Sequence, residues 1–326
     1  MSLKIKIWGA RGSLPSPWLP TDLKSKIRRH FEDFFTLGFK SAQDIDRFFK
    51  RYDLTHFGGF GGNTPCLEIN SPKQQLIIDG GSGIRQLGYD MMNGPCGQGQ
   101  GKIDMLFTHF HWDHLIGLPF FTPIFVPGNE IHVYSVQKDL EAVFQTVFKK
   151  PYFPVPLEQL GAKIHFHSLE PRKPKVFEDI QITPYELDHP DPCWGYKVES
   201  QGRVFSHCVD TEGVRVTRED LGEDLALYQD VDLMVFDAQY TLMETIEKIN
   251  WGHAAASLGL DIAMREGVKR VLFMHHDPAS STEKILQAEA EARRYYQTQL
   301  KVAKSSGVKL HEVDWQFAHE GLVIEV

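Results

Sequence analysis

The chain has 326 residues, 42% of them apolar and 24% charged, the balance of a globular protein with ample material for a buried core rather than of a disordered chain. Its 35 Lys and Arg against 43 Asp and Glu leave a net charge of −8, which argues against a surface built throughout to hold duplex nucleic acid, because phosphates are neutralised by clustered basic residues. No apolar run reaches the roughly 18 to 20 residues of a membrane helix, and the longest candidate, Leu115 to Pro127, is interrupted by proline, so no membrane partner is expected.

The N-terminus shows no apolar stretch ending in a small-residue cleavage pattern, so a cytoplasmic location is the expectation. Cys66, Cys96, Cys193 and Cys208 form no Cys-x-x-Cys pair and read as reduced packing residues.

Lys4 to Trp8 alternates polar and apolar residues and stops at Gly9-Ala-Arg-Gly-Ser-Leu-Pro15, a strand running into a turn. Residues 16–57 come next, with apolar residues at helical spacing: Ile27, Phe31, Phe34 and Phe35, then Ile45, Phe48 and Phe49. Between residues 23 and 51 there are eight Lys or Arg against four Asp or Glu, a local excess of +4 in an acidic protein. This reads as a helical insertion, with two roles open to it: a subunit contact or satellite mini-core, or a basic lid over an anionic substrate.

Further strands are expected at Leu67 to Ile69, Leu76 to Ile78, Met105 to Thr108, Ile131 to Tyr134, Ile164 to Phe166, Ile180 to Tyr185, Tyr196 to Glu199, Arg203 to Ser206, Leu233 to Phe236 and Val271 to Met274. Helical patterns fall after residue 83 and at 138–149, 253–266 and 281–304, the last opening on the capping-box spacing Ser280-Ser-Thr-Glu283. Strands in both halves, each half closed by helices, suggest a layered α/β protein in which 1–326 is a single domain.

The strongest chemical signal is Thr108-His-Phe-His-Trp-Asp-His114. On an extended strand end, alternate residues share a side, so His109 and His111 converge on one ion while Asp113 and His114 address another. A two-ion site needs further ligands, and His189, Asp210 and His275 each follow an expected strand. Each is weak alone; their common placement carries the argument.

At this point the sequence resembles the metallo-β-lactamase-fold hydrolases, and within them the phosphodiesterase branch that includes ribonuclease Z. The resemblance rests on Trp8-Gly-Ala-Arg-Gly-Ser-Leu-Pro15, Gly61-Gly-Asn-Thr64, Ile77-Ile-Asp-Gly-Gly-Ser-Gly83, the His109 to His114 cluster, His189-Pro190, Asp210-Thr211-Glu212, Asp237-Ala-Gln-Tyr240, Gly252-His253 and His275-His276-Asp277-Pro278. It implies an αββα sandwich with two divalent metal ions, zinc first and manganese or iron as alternatives. His109, His111 and His189 would bind one ion, Asp113, His114 and His275 the other, and Asp210 would bridge them. His276 competes with His275 for the last place, and His275 is preferred because it directly follows the apolar strand.

A hydroxide bridging two such cations is the expected nucleophile. Asp113 would orient it or take its proton, and His253 resembles the non-ligand histidine that meets the phosphate or the leaving oxygen. Asp79 and its glycines read as a turn supporting the site.

Departures from the family narrow the activity. β-Lactamases proper usually place a cysteine where this chain has Asp210. Ribonuclease Z carries His-Glu-Ala-Thr where this chain reads Asp237-Ala-Gln-Tyr240, and a glycine- and proline-rich arm that is not evident here. The expected function is therefore cleavage of small nucleotide-like phosphodiesters, cyclic or linear. The alternatives are a ribonuclease Z-like RNA 3′-end endonuclease, or carboxyl-ester or thioester hydrolysis at the same site. Family members are often dimers, so a homodimer is implied.

Overall fold

A computed structural model describes residues 3–326. Its first seven strands are β1 (Lys4–Gly9), β2 (Cys66–Asn70), β3 (Gln75–Ile78), β4 (Lys102–Leu106), β5 (Glu130–Ser135), β6 (Lys163–Ser168) and β7 (Lys175–Phe177). The remainder are β8 (Ile180–Glu186), β9 (Trp194–Ser200), β10 (Arg203–Cys208), β11 (Leu233–Asp237), β12 (Arg270–Met274), β13 (Asp314–Phe317) and β14 (Val323–Glu325). The helices are α1 (Pro20–Thr36), α2 (Ile45–Phe49), α3 (Leu54–Gly58), α4 (Ile84–Met91), α5 (Trp112–Leu115), α6 (Leu140–Val147), α7 (Arg218–Leu221), α8 (Leu242–Glu247), α9 (Ala256–Glu266) and α10 (Thr282–Ser306).

Two seven-stranded sheets form, in the orders β14-β1-β2-β3-β4-β5-β6 and β13-β12-β11-β10-β9-β8-β7. Each is mixed: β3 to β6 run parallel in the first and β10 to β13 in the second, while the other pairings are antiparallel. Between the sheets lies one apolar layer that includes Ile5, Ile7, Leu106, Tyr196, Phe205, Val235 and Leu272. Outside the first sheet α4 and α6 add Leu87, Leu140 and Phe144, and outside the second α9 and α10 add Leu260, Ala263 and Ile285. The result is the expected four-layer αββα sandwich.

Burial on both faces explains why β11 and β12 read as continuous apolar runs rather than alternating ones. All the expected strands form, with one shifted: β4 starts at Lys102 and ends at Leu106, so Phe107 and Thr108 already belong to the loop before the histidine cluster. The unexpected strands β7, β13 and β14 have three, four and three residues, too short for periodicity to register. The cap of α10 is Ser281, whose hydroxyl accepts from the Lys284 amide at 3.2 Å, one residue later than expected; the Ser280 carbonyl accepts from Arg11 Nη1. All four cysteines are buried and free.

Residues 16–57 hold α1, α2 and α3. Phe48 is buried, with its ring against Phe34, Phe39, Tyr52 and Phe57. The segment leaves and rejoins the sandwich at adjacent points, since the Ser16 amide donates to the Gly62 carbonyl at 2.7 Å.

Candidate metal centre

The candidate ligands all follow the C-terminal ends of strands that have a neighbour on both sides. After β4 the chain turns through a loop carrying His109 and His111 and into the short helix α5, which holds Asp113 and His114. His109 and His111 therefore converge from a loop and a helix start rather than from an extended strand, with ring centroids 4.5 Å apart. The second sheet supplies the rest: His189 after β8, Asp210 after β10 and His275 after β12.

Asp79, Asp210 and His275 all adopt a left-handed backbone, with φ of 63°, 63° and 68°. That conformation is costly for residues with a Cβ, and it persists where the surroundings enforce it. Here it turns each chain sharply as it leaves its strand.

Donor atoms collect in overlapping groups. Those of His109, His111 and His189 lie within 4.8 Å of one another, as do those of Asp113, His114 and His275; His109, His114 and Asp210 form a third such group. Asp210 thus stands between the two halves, with Oδ2 3.0 Å from His114 Nε2 and Oδ1 3.4 Å from His275 Nε2. Asp113 Oδ2 lies 3.2 Å from His275 Nε2 and accepts from the Ser13 amide at 2.7 Å. The first half opens to solvent through His111, whereas His109, His114, Asp210 and His275 are buried.

Each ring is oriented by a partner on its other nitrogen. His114 Nδ1 is 2.8 Å from Asp79 Oδ2, and His275 Nδ1 is 2.8 Å from Gln239 Oε1. His109 Nδ1 meets the Thr108 hydroxyl at 3.1 Å, and His111 Nε2 meets Asp191 Oδ2 at 2.9 Å. His189 Nδ1 donates to the Asp191 carbonyl at 2.9 Å. Such partners set the tautomer of a metal-binding imidazole and hold its ring.

Charge follows this geometry. Burial alone would raise the Asp210 and Asp113 carboxyls, but neighbouring histidines hold both well below the usual range. Burial would likewise depress His275, yet Asp210, Asp113 and Asp237 take it up to about 9, and His114 is raised for the same reason. His109 is pushed well down by burial and by His114. The carboxylates draw positive charge into a water-poor space.

Whether the residues suit metal ions is tested by their unpartnered atoms. Nε2 of His109, His114 and His189 and Oδ2 of Asp210 are buried without a hydrogen-bond partner, although buried polar atoms are nearly always paired. They belong to overlapping donor groups, His114 Nε2 and Asp210 Oδ2 facing each other at 3.0 Å without the geometry of a hydrogen bond, and imidazole with carboxylate is the donor chemistry of zinc, manganese and iron. The fit is good.

His276 turns the other way. Its Nε2 lies 2.8 Å from the Ala318 carbonyl, its ring packs on Phe60 and Phe317, and burial lowers its pKa to about 3. His253 lies beside the cluster with Nδ1 3.0 Å from Asp237 Oδ2, and Asp237 also accepts from the Gln239 and Ala254 amides. Asp79 fills the supporting role expected of it. Sequence reading gave no role to Asp191, Gln239 or Asp237; the available signal was that Asp237 also closes an apolar strand.

The Gly-rich loops work by close approach. A Cβ on Gly12 would sit 2.3 Å from Gln239 Oε1 and 2.4 Å from His275 Nδ1, and one on Gly252 would sit 2.2 Å from His189 Cδ2. Thr64 donates its hydroxyl to the Asp113 carbonyl at 2.7 Å. A cavity of about 400 Å³ adjoins the open half, lined by residues including Asp188, His189, Glu212, Arg215 and Asn250. Residues of the 16–57 segment instead line a separate cavity with Pro278 to Glu283.

Residues 74–276 match the model of the beta-lactamase superfamily domain. The chain belongs to that family. With this donor set, the superfamily member is a metal-dependent hydrolase.

It is 26% identical over 223 residues to ribonuclease Z of Lactococcus lactis subsp. cremoris strain MG1363, covering 53% of this chain and 71% of that protein. It is 30% identical over 159 residues to ribonuclease Z of Thermococcus kodakarensis, covering 45% of this chain and 46% of that one, so the match spans less than half of the archaeal protein. Among solved structures, unliganded yeast PDE1 superposes with a TM-score of 0.64 at 14% identity, covering 100% of this chain and 99% of that one. A diphosphatase of the PhnP family gives 0.60 at 17% identity, with 99% and 98% covered. Human tRNase Z, short form, gives 0.59 at 16%, with 98% of each covered. At these identities the structures establish the fold.

Proposed function

We propose that this hydrolase cleaves phosphodiester bonds in small nucleotide-like substrates at a centre of two divalent cations, zinc first. The observation that carries the reading is the carboxylate of Asp210 set between two histidine groups, with His253 beside them on a separate carboxylate. Such cations, when bound, polarise phosphoryl oxygens and lower the pKa of the attacking water.

In this reading His109, His111 and His189 would hold one cation and Asp113, His114 and His275 the other, with Asp210 available to be shared between them. Asp113, fixed by the Ser13 amide, aligns the attacking water and accepts its proton. His253, whose Nδ1 is engaged by Asp237, presents Nε2 to the leaving oxygen and donates a proton to it.

The cavity of about 400 Å³ beside His189 is on the scale of a small ligand, and the relatives and neighbours named for RNA processing, phosphodiester or diphosphate chemistry support the bond type. The ribonuclease Z relatives favour a second reading, cleavage near an RNA 3′ end. A homodimer is also proposed, supported by an apolar stripe on α1: Leu23, Ile27, Phe31 and Phe35 recur every fourth residue and are 46–63% exposed.

The test is hydrolysis of bis(p-nitrophenyl) phosphate by protein loaded with zinc or with manganese, using Asp210→Ala as the blank. Turnover that disappears in the variant supports a phosphodiesterase. Metal-loaded protein without turnover, but active on carboxyl esters or thioesters, overturns the proposal. An RNA substrate whose affinity falls steeply with salt would favour the second reading, since contacts to several phosphates release several counterions.

A further inference from the structure

The helical segment 16–57 carries a second group of metal-ligating side chains that the catalytic reading does not use. His30 and Asp33 are three residues apart on α1 and so share a face, and His56 of α3 faces them. Donor atoms of the three residues lie within 4.8 Å of one another. His56 Nε2 is 3.9 Å from Asp33 Oδ2, and the two imidazole centroids are 4.9 Å apart.

Both ring nitrogens of His30 and Nε2 of His56 are buried with no hydrogen-bond partner. Three unpaired imidazole nitrogens in one small cluster are costly as they stand, because a buried polar atom without a partner forfeits its hydration. Packing already holds the rings in place: Tyr52 stacks on His56 at 3.9 Å, and Phe57 borders both histidines. Of the nearby cations, Arg29 pairs with Glu283 at 2.8 Å, and Lys26 Nζ lies over the Trp18 ring at 4.4 Å without a hydrogen-bond partner.

We propose that His30, Asp33 and His56 form a metal site of their own, taking one zinc-like divalent ion that clasps α1 to α3. Two imidazoles and a carboxylate are the donors such ions prefer, and a tetrahedral ion at about 2.0–2.1 Å from each would complete its shell with water. Binding would draw the donors closer than the 4.8 Å within which they now lie. Burial, with His56 and Lys26 nearby, lowers the His30 pKa, which keeps the ring in its neutral, ligating form.

The clasp has a structural consequence for the chemistry. The segment it closes joins two loops of the catalytic end: the Ser16 amide donates to the Gly62 carbonyl at 2.7 Å and the Arg11 amide to the Asn63 carbonyl at 2.9 Å. Those loops carry Ser13 and Thr64, which hold Asp113.

The experiment is a count of metal per chain. The full-length protein and the His30→Gln/His56→Gln double variant are saturated with zinc, desalted, and measured by mass spectrometry and thermal melting. The wild type is expected to retain one zinc ion more than the variant and to melt at a higher temperature only when that ion is bound. The readout is the difference of one ion, so it stands whether or not the catalytic reading does. Equal zinc content in the two proteins overturns the proposal.

Because the double variant also alters ring packing, Asp33→Asn is measured beside it. It leaves both imidazoles in place and is expected to weaken the additional ion by about tenfold or more. Zinc titrations that coincide for wild type and Asp33→Asn would equally overturn the site.

Discussion

Asp237 Oδ2 lies 3.0 Å from Nδ1 of His253, sixteen residues further along the chain. Asp237 closes β11, whereas His253 belongs to the turn before α9. A buried carboxylate on one imidazole nitrogen fixes which nitrogen faces the substrate. Asp237→Asn keeps an acceptor for the two backbone amides but removes the charge. Its kcat is expected to fall by about 10–100-fold with KM and metal content unchanged. His253→Ala should likewise keep its metal and lose turnover; a metal-free His253→Ala protein would show that His253 is a ligand instead.

Gly12 leaves no room for a methyl group between the backbone, Gln239 and His275. Gly12→Ala should push the His275 ring away from Asp113, at a cost in stability of about 1–3 kcal/mol. Zinc titration is expected to show one weakened catalytic ion while circular dichroism shows the fold retained. Unchanged affinity for both ions would mean that Gln239 gives way without moving the imidazole.

His207 lies fully buried, with neither ring nitrogen paired, and burial lowers its pKa to about 4. The unfolded chain takes up a proton near pH 6.5 that the folded chain refuses until about pH 4. Stability from this residue is therefore complete above pH 6.5, falls as pH drops, and stops falling below about pH 4. Between pH 7.5 and 5 the wild type should lose about 2 kcal/mol more than His207→Leu in urea unfolding. Parallel pH profiles for the two proteins would contradict this.

The α1 stripe is mostly exposed although it is apolar over four successive turns. Ile27→Glu/Phe31→Glu is expected to convert a dimer into a monomer in size-exclusion light scattering, with turnover on a small phosphodiester retained. A wild-type protein that is monomeric at all concentrations would remove the subunit-contact role from this segment.

Much of the site was legible because its ligand types are rare outside metal chemistry and several fall within six residues, from His109 to His114. His189, Asp210 and His275 could be placed after apolar strands because strands buried on both faces announce themselves by composition. What failed to show was orientation. Nothing near His275 in the sequence names Gln239 as its partner, and nothing near His114 names Asp79; those pairs are 36 and 35 residues apart. The His30 and His56 pairing was invisible for the same reason, being made by the packing of α1 on α3.

By itself, then, the sequence determined the longer strands and helices and the identity of the groups available for chemistry, because periodicity and residue type are local properties, while the three- and four-residue strands β7, β13 and β14 escaped it. The sequence preferred His275 over His276 only by its place after an apolar strand, and the tertiary structure decided between them. His275 takes a left-handed backbone at the end of β12 and faces Asp113 and Asp210, while His276 packs against Phe60 and Phe317 with its nitrogen on the Ala318 carbonyl. That choice depends on which partners the two sheets bring to each side of one turn.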